Sequence, residues 1–148
     1  MRRHSFVATS VAAIALAVSG CNSNPASPAE GLAAARARWA ARAPSSYDMV
    51  LSKSCECVPG TAGVVAISVR NGEVVSRAYP NDGPVPAEYA GAFPTVPQLF
   101  DIIDAAVRAG TRPLDVQYDA RYGYPIRAAL GKVEVDAPLY EISQFTPR

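Results

Sequence analysis

The period of hydrophobic and polar residues changes several times along this chain, and each change marks an element. Phe6 to Val18 is an apolar run interrupted only by Thr9 and Ser10. After a short polar stretch, Ser27-Pro28-Ala29-Glu30 has the signature of a helix start. Ser27 suits the cap, Pro28 the first turn, and Glu30 the returning acid of a capping box. The alanine-rich stretch that follows is predicted to be helical until near Pro44, with Leu32, Ala35 and Trp39 as its apolar stripe. From Tyr47 the period becomes two. Tyr47, Met49 and Leu51 share one face of a strand, and Val65, Ile67 and Val69 share one face of the next. Asn71-Gly72 between two β-prone runs predicts a type I′ hairpin, returning along Val74 to Tyr79. Pro80 to Pro94, rich in Pro and Gly, reads as a loop.

A second helix is predicted from about Thr95 to Arg108. Thr95 and Gln98 have capping-box spacing, Val96, Leu99, Phe100, Ile103, Ala106 and Val107 form its stripe, and Gly110 is its stop. Leu114, Val116 and Tyr118 then alternate with polar residues as a half-buried strand. The chain turns over Asp119 to Gly123. Tyr124, Ile126, Ala128 and Leu130 suit the returning strand, and Leu139 to Phe145 a last one. The order helix, three strands, helix, three strands predicts an α+β fold. Its antiparallel sheet of about six strands would carry both helices on one face and leave the other face open. The two halves resemble a weak structural repeat, without repetition at the level of residues.

The first apolar run is too short to span a membrane, which needs roughly 20 apolar residues. With Arg2 and Arg3 before it and Val18-Ser19-Gly20-Cys21 after it, residues 1–20 read as a lipoprotein signal peptide, cleaved after Gly20. Cys21 would then be acylated, and several acyl chains give stable anchoring. Residues 21–29 are expected to be anchor and tether, and 30–148 a single domain. The domain is expected to be exported, on the periplasmic side or the cell surface, held to the cell membrane or the outer membrane. Asn22 leans weakly towards the outer membrane.

Charge and composition narrow the chemistry further. Taking Arg2 and Arg3 from the 14 basic residues leaves 12 against 13 acidic ones, so charge gives no argument for nucleic acid. The one histidine, His4, lies in the signal segment. The mature chain therefore has no histidine for Ser-His-Asp or Cys-His catalysis or for a zinc site. Cys55 and Cys57 are the remaining thiols. Two thiolates do not complete a zinc site, and no cofactor or metal is expected. In an extended strand their Cα atoms would lie roughly 6.5–7 Å apart, so a bridge needs a kink, which Val58-Pro59-Gly60 would supply. Such a bridge is either a small staple or a reducible pair for thiol exchange. Asp115, Asp119 and Asp136 are solvated strand-edge acids or, in the alternative, a carboxylate or calcium set. Tyr118, Asp119, Tyr122 and Tyr124 offer a partner surface or simply pack the hairpin. Arg36, Arg38 and Arg42 form a solvated helix face or touch anionic headgroups.

Several of these pieces recur together. Tyr47, Cys55-x-Cys57-x-Pro59, Asn71-Gly72, Phe93-Pro94-Thr95-Val96 leading to Leu99-Phe100, and Val116-x-Tyr118-Asp119-x-x-Tyr122-Gly123-Tyr124-Pro125 occur in that order. The set resembles a family of bacterial lipoproteins, domain of unknown function 6174, over roughly Tyr47 to Phe145. The resemblance implies an exported, membrane-anchored domain and brings no catalytic residue. The expected function is a non-catalytic envelope module binding an unknown envelope protein or ligand, with thiol–disulfide exchange as the alternative.

Overall fold

The computed structural model describes residues 26–132 and 137–148. The expected signal peptide, residues 1–20, with Cys21 and Asp136, lies outside the described residues. Helix α1 spans Pro28–Arg42 and starts as its sequence dictates. The Ser27 hydroxyl accepts from the Glu30 N–H at 3.3 Å, and Glu30 accepts from the Ser27 N–H at 2.8 Å. That box satisfies two of the amide donors that a helix start leaves free.

Strands β1 (Tyr47–Ser54), β2 (Gly63–Arg70) and β3 (Glu73–Tyr79) form an antiparallel meander. Asn71 and Gly72 close its second hairpin with φ of 52° and 82°, the two positive values a type I′ turn requires. The stretch from Pro80 to Pro94 holds more than a loop. Gly83, at φ 79°, lets the chain fold back, and the two-residue strand β4 (Gly83–Pro84) pairs with Ala78 and Tyr79. A 3₁₀ helix follows over Ala87–Ala92. Helix α2 spans Val96–Arg108, and Gln98 Oε1 accepts from the Thr95 N–H at 2.9 Å. It ends in a Schellman motif: Thr111 N–H donates to the Ala106 carbonyl and Gly110 N–H to that of Val107.

Strands β5 (Leu114–Tyr118), β6 (Pro125–Leu130) and β7 (Leu139–Pro147) complete one seven-stranded sheet in the order β4-β3-β2-β1-β7-β6-β5. The α+β class and the antiparallel pairing agree with the sequence pattern, with β4 as the additional strand. The expected repeat fails on topology. β1, the first strand of its half, and β7, the last of the other, lie side by side at the centre, so equivalent strands do not occupy equivalent places.

One face of the sheet and both helices share a single core. Tyr47, Met49 and Leu51 meet Val65, Ile67 and Val69 there, with Leu32 and Ala35 from α1 and Val96, Leu99, Phe100 and Ile103 from α2. Of the three bulges among the described residues, one lets β3 skip Val75 against β2, and the other two shape the inner face at β7 and β6. β7 skips Ser143 between its partners for Val50 and Leu51, so Tyr140, Ile142 and Phe145 all pack on the core. β6 skips Ile126, which turns outward and is 39% exposed while Pro125 and Ala128 stay buried.

The opposite face is polar and laced with ion pairs. Asp48 takes Arg70 on one carboxylate oxygen at 2.8 Å and Arg148 on the other at 2.7 Å. Hydrogen bonds from the Ser68 hydroxyl and Arg148, reinforced by Arg70, hold its pKa down to about 2. A depressed carboxylate stabilises the fold fully above its unfolded pKa of about 3.9, and that contribution fades as pH falls towards 2. Melting temperature should therefore drop less steeply between about pH 4 and 2 in Asp48→Asn than in the wild type. Parallel curves would refute the assignment.

Candidate functional site

The cysteine pair comes into reach because β1 stops before it. The strand ends at Ser54 and the chain bends at Cys55-Glu56. Cys55 and Cys57 are bridged with Cα atoms 5.2 Å apart, within the usual range of about 4.4–6.8 Å. The separation expected for an extended strand thus does not apply. The kink expected at Pro59-Gly60 is a second, separate bend. Val58 to Thr61 form a type II turn, in which Thr61 donates to the Val58 carbonyl from its N–H at 3.0 Å and its hydroxyl at 2.7 Å. Pro59 presets the second position, and Gly60 supplies φ of 85° at the third. Lys53, the cation nearest in sequence to the thiols, stands 5.9 Å from the Tyr140 ring centre, and burial lowers its pKa.

This second turn brings Gly60 into one wall of a groove. The Tyr79 hydroxyl donates to the Gly60 carbonyl at 2.6 Å, and the Tyr89 ring lies flush on Gly60, where a Cβ would approach to 2.7 Å. Together with Val64, Asn81, Asp82 and Pro86 these rings line a depression of about 630 Å³ at the β3–β4 edge of the sheet. Sequence reasoning missed it. Tyr89 sits in a segment read as loop, and only the pairing of β4 and the 3₁₀ helix carries its ring to Gly60.

The other predicted surface is the turn between β5 and β6. Asp119 builds it: Oδ1 accepts from the N–H groups of Arg121 and Tyr122, and the Asp119 carbonyl accepts from Gly123 N–H at 3.0 Å. Its carboxylate is thereby committed to an Asx turn. Tyr118 stacks on Phe100 with ring centres 6.3 Å apart, and its burial pushes the phenol up to about 12, against the pull of Arg36. Tyr124 stacks on Phe145 at 4.5 Å, and Tyr122 tilts against the same ring at 5.7 Å. Burial and the Asp119 charge both raise the Tyr124 pKa. The structure therefore groups Asp119, Tyr122 and Tyr124 at one half-exposed corner and packs Tyr118 separately on α2.

The acids do not converge. Asp115 pairs with Arg127 at 2.6 Å, Asp119 holds its turn, and Asp136 lies outside the described residues. No group of three or more His, Cys, Asp or Glu side chains is placed to hold a metal among the described residues. The α1 arginines are not a uniform solvated face. Arg36 pairs with Asp101 at 2.8 Å, and Arg42 donates to the Arg121 carbonyl at 3.0 Å.

Among known proteins, the model of a family described as "Family of unknown function (DUF6174)" matches residues 31–147. No curated protein and no solved structure matches the chain.

Proposed function

We propose that this chain, which belongs to the DUF6174 family, is a lipid-anchored envelope protein that binds a ligand and catalyses no reaction. The groove between the Val58–Thr61 turn and the 3₁₀ helix supports this reading. It has two aromatic walls from Tyr79 and Tyr89, and polar groups from Asn81 and Asp82. Pockets of 300–1,000 Å³ with mostly apolar walls and a few polar groups are the usual form of a ligand site. A photo-crosslinking residue at Asn81 should yield an adduct in living cells. The same residue at Val75, 60% exposed and outside the groove, should not. Equal labelling at both positions, or none at Asn81, would count against the groove.

The anchor rests on Val18-Ser19-Gly20-Cys21 after the short apolar run. A fatty-acid probe fed to cells should label the wild type and spare Cys21→Ser. Equal labelling would refute acylation.

A second reading, thiol–disulfide exchange, is favoured by the half-exposed position of Cys55 and Cys57 in a surface loop. The surroundings weigh against it. Low-pKa thiols need a nearby cation, whereas Lys53 is engaged over Tyr140 and Glu56 adds negative charge between the two cysteines. The unreduced protein should show no titratable thiol at these positions. Its reduction potential should lie below about −300 mV, where structural disulfides fall. A potential near −120 to −200 mV, typical of dedicated oxidants and isomerases, would transfer the function to the cysteine pair.

A further inference from the structure

The domain is nearly neutral overall, yet among the described residues three arginines without a carboxylate partner gather at one corner. Five of the ten described arginines have a carboxylate partner: Arg36 with Asp101, Arg70 and Arg148 with Asp48, Arg108 with Asp104, and Arg127 with Asp115. Arg77 is held by the Phe93 carbonyl at 2.9 Å. Arg38, Arg42, Arg112 and Arg121 have no carboxylate within 4 Å among the described residues. Arg112 stands beside Ser27 and Pro28 at the start of α1, whereas the other three are neighbours. Arg38 and Arg42 are one turn apart on α1, a spacing at which like charges destabilise a helix. Arg42 reaches the Arg121 carbonyl, and the turn presses so close to α1 that a Cβ on Gly123 would lie 2.9 Å from the Arg38 Cβ. The one acid on this turn, Asp119, is occupied by two backbone N–H groups. The Nε of Arg38 is buried without a hydrogen-bond partner.

Aromatic rings border the same corner. The Arg121 guanidinium lies 4.9 Å from the centre of the Tyr122 ring. Trp39, Tyr122 and Tyr124 converge on Phe145, each with its ring centre within 6 Å. Arg, Tyr and Trp together form the composition that dominates binding energy at protein interfaces. A lipid surface fits the corner less well. Arg42 lies 14 residues beyond Pro28, about 21 Å along the helix at 1.5 Å per residue, at the end of α1 remote from the tether.

We infer that Arg38, Arg42 and Arg121, flanked by Tyr122 and Tyr124, form a docking surface for an acidic peptide segment of a partner protein. The guanidinium groups pair with its carboxylates, and the half-exposed rings take apolar side chains between them. The surface is separate from the groove and does not depend on what the groove binds.

The test is fluorescence anisotropy on the full chain in neutral detergent, using a fluorescein-labelled peptide of alternating Glu and Ser. The wild type should bind this peptide, more weakly at high salt, and should not bind its Lys-Ser counterpart. Arg42→Glu with Arg121→Glu should weaken binding at least about tenfold, equivalent to roughly 1.4 kcal/mol. Arg108→Glu with Arg112→Glu should leave it unchanged. Should the first pair impair folding, Arg42→Gln with Arg121→Gln replaces it, with weakening still expected. The inference is overturned if the wild type does not bind, if both reversals weaken binding equally, or if the protein binds anionic-lipid vesicles but not the peptide.

Discussion

Phe100→Ala lowers the unfolding free energy by about 3–5 kcal/mol, the range for deleting a buried phenylalanine side chain. Phe100 is 2% exposed and stands where both helices meet the sheet. Tyr118 stacks on one side of it, Trp39 meets it edge-on at 6.4 Å, and the Arg36 guanidinium lies 5.5 Å from its ring centre. Truncation leaves a cavity that these neighbours fill poorly. Tyr118 is fixed on β5, Trp39 is held on α1 against Tyr47 and Phe145, and Arg36 is tied to Asp101. The cost should appear as an earlier midpoint in urea at unchanged slope. A loss under about 1 kcal/mol would mean that α2 does not present its stripe to the sheet.

That stripe shows which parts of the fold were legible in the sequence. Regular periodicity reports burial wherever the backbone is regular, so α2, the inner faces of β1 and β2, both capping boxes and the Asn71-Gly72 turn follow from local residue chemistry. The exceptions arise where pairing alters the local pattern. Ser143 and Ile126 look like ordinary strand residues. That each is skipped by its partner strand depends on the sheet, and each bulge reverses the inside–outside alternation beyond it. The central place of β7 is equally invisible, because sequence order favours neighbouring strands and β1 pairs with a strand some ninety residues away.

The candidate sites divide along the same line. Asp119 and its tyrosines were legible as a group because the turn is local, but the role of each residue was not. Tyr118 leaves the group because alternation along β5 sends it onto Phe100. The cysteine spacing was legible and its geometry was not, since the end of β1 at Ser54 decides the distance. Arg36, Arg38 and Arg42 looked equivalent on α1. They differ because Asp101 comes from α2 and Arg121 from the distant turn. Charge partners between remote segments are a property of the packed molecule, and they separate the neutralised arginine from the two without a carboxylate partner among the described residues.

The same contact between turn and helix makes Gly123→Ala the other costly substitution. Gly123 has φ of 85°, a conformation that carries a penalty of roughly 1–2 kcal/mol for a residue with a side chain. Here the added Cβ would also overlap the carbonyl oxygen of Ala35 and crowd the Arg38 Cβ at 2.9 Å. Neither obstacle yields easily. Ala35 is fully buried in the α1 backbone, and Asp119 fixes the turn through Arg121, Tyr122 and Gly123. Adding about 1–3 kcal/mol for overpacking brings the expected loss to about 2–5 kcal/mol. Gly110→Ala separates the two causes. Gly110 also has positive φ, 67°, but a Cβ there meets nothing within 4 Å, so only the backbone penalty should remain. Urea unfolding of both variants should therefore place Gly123→Ala well below Gly110→Ala. Equal losses would mean that the turn does not rest on α1, and the arginine corner would lose the contact that assembles it.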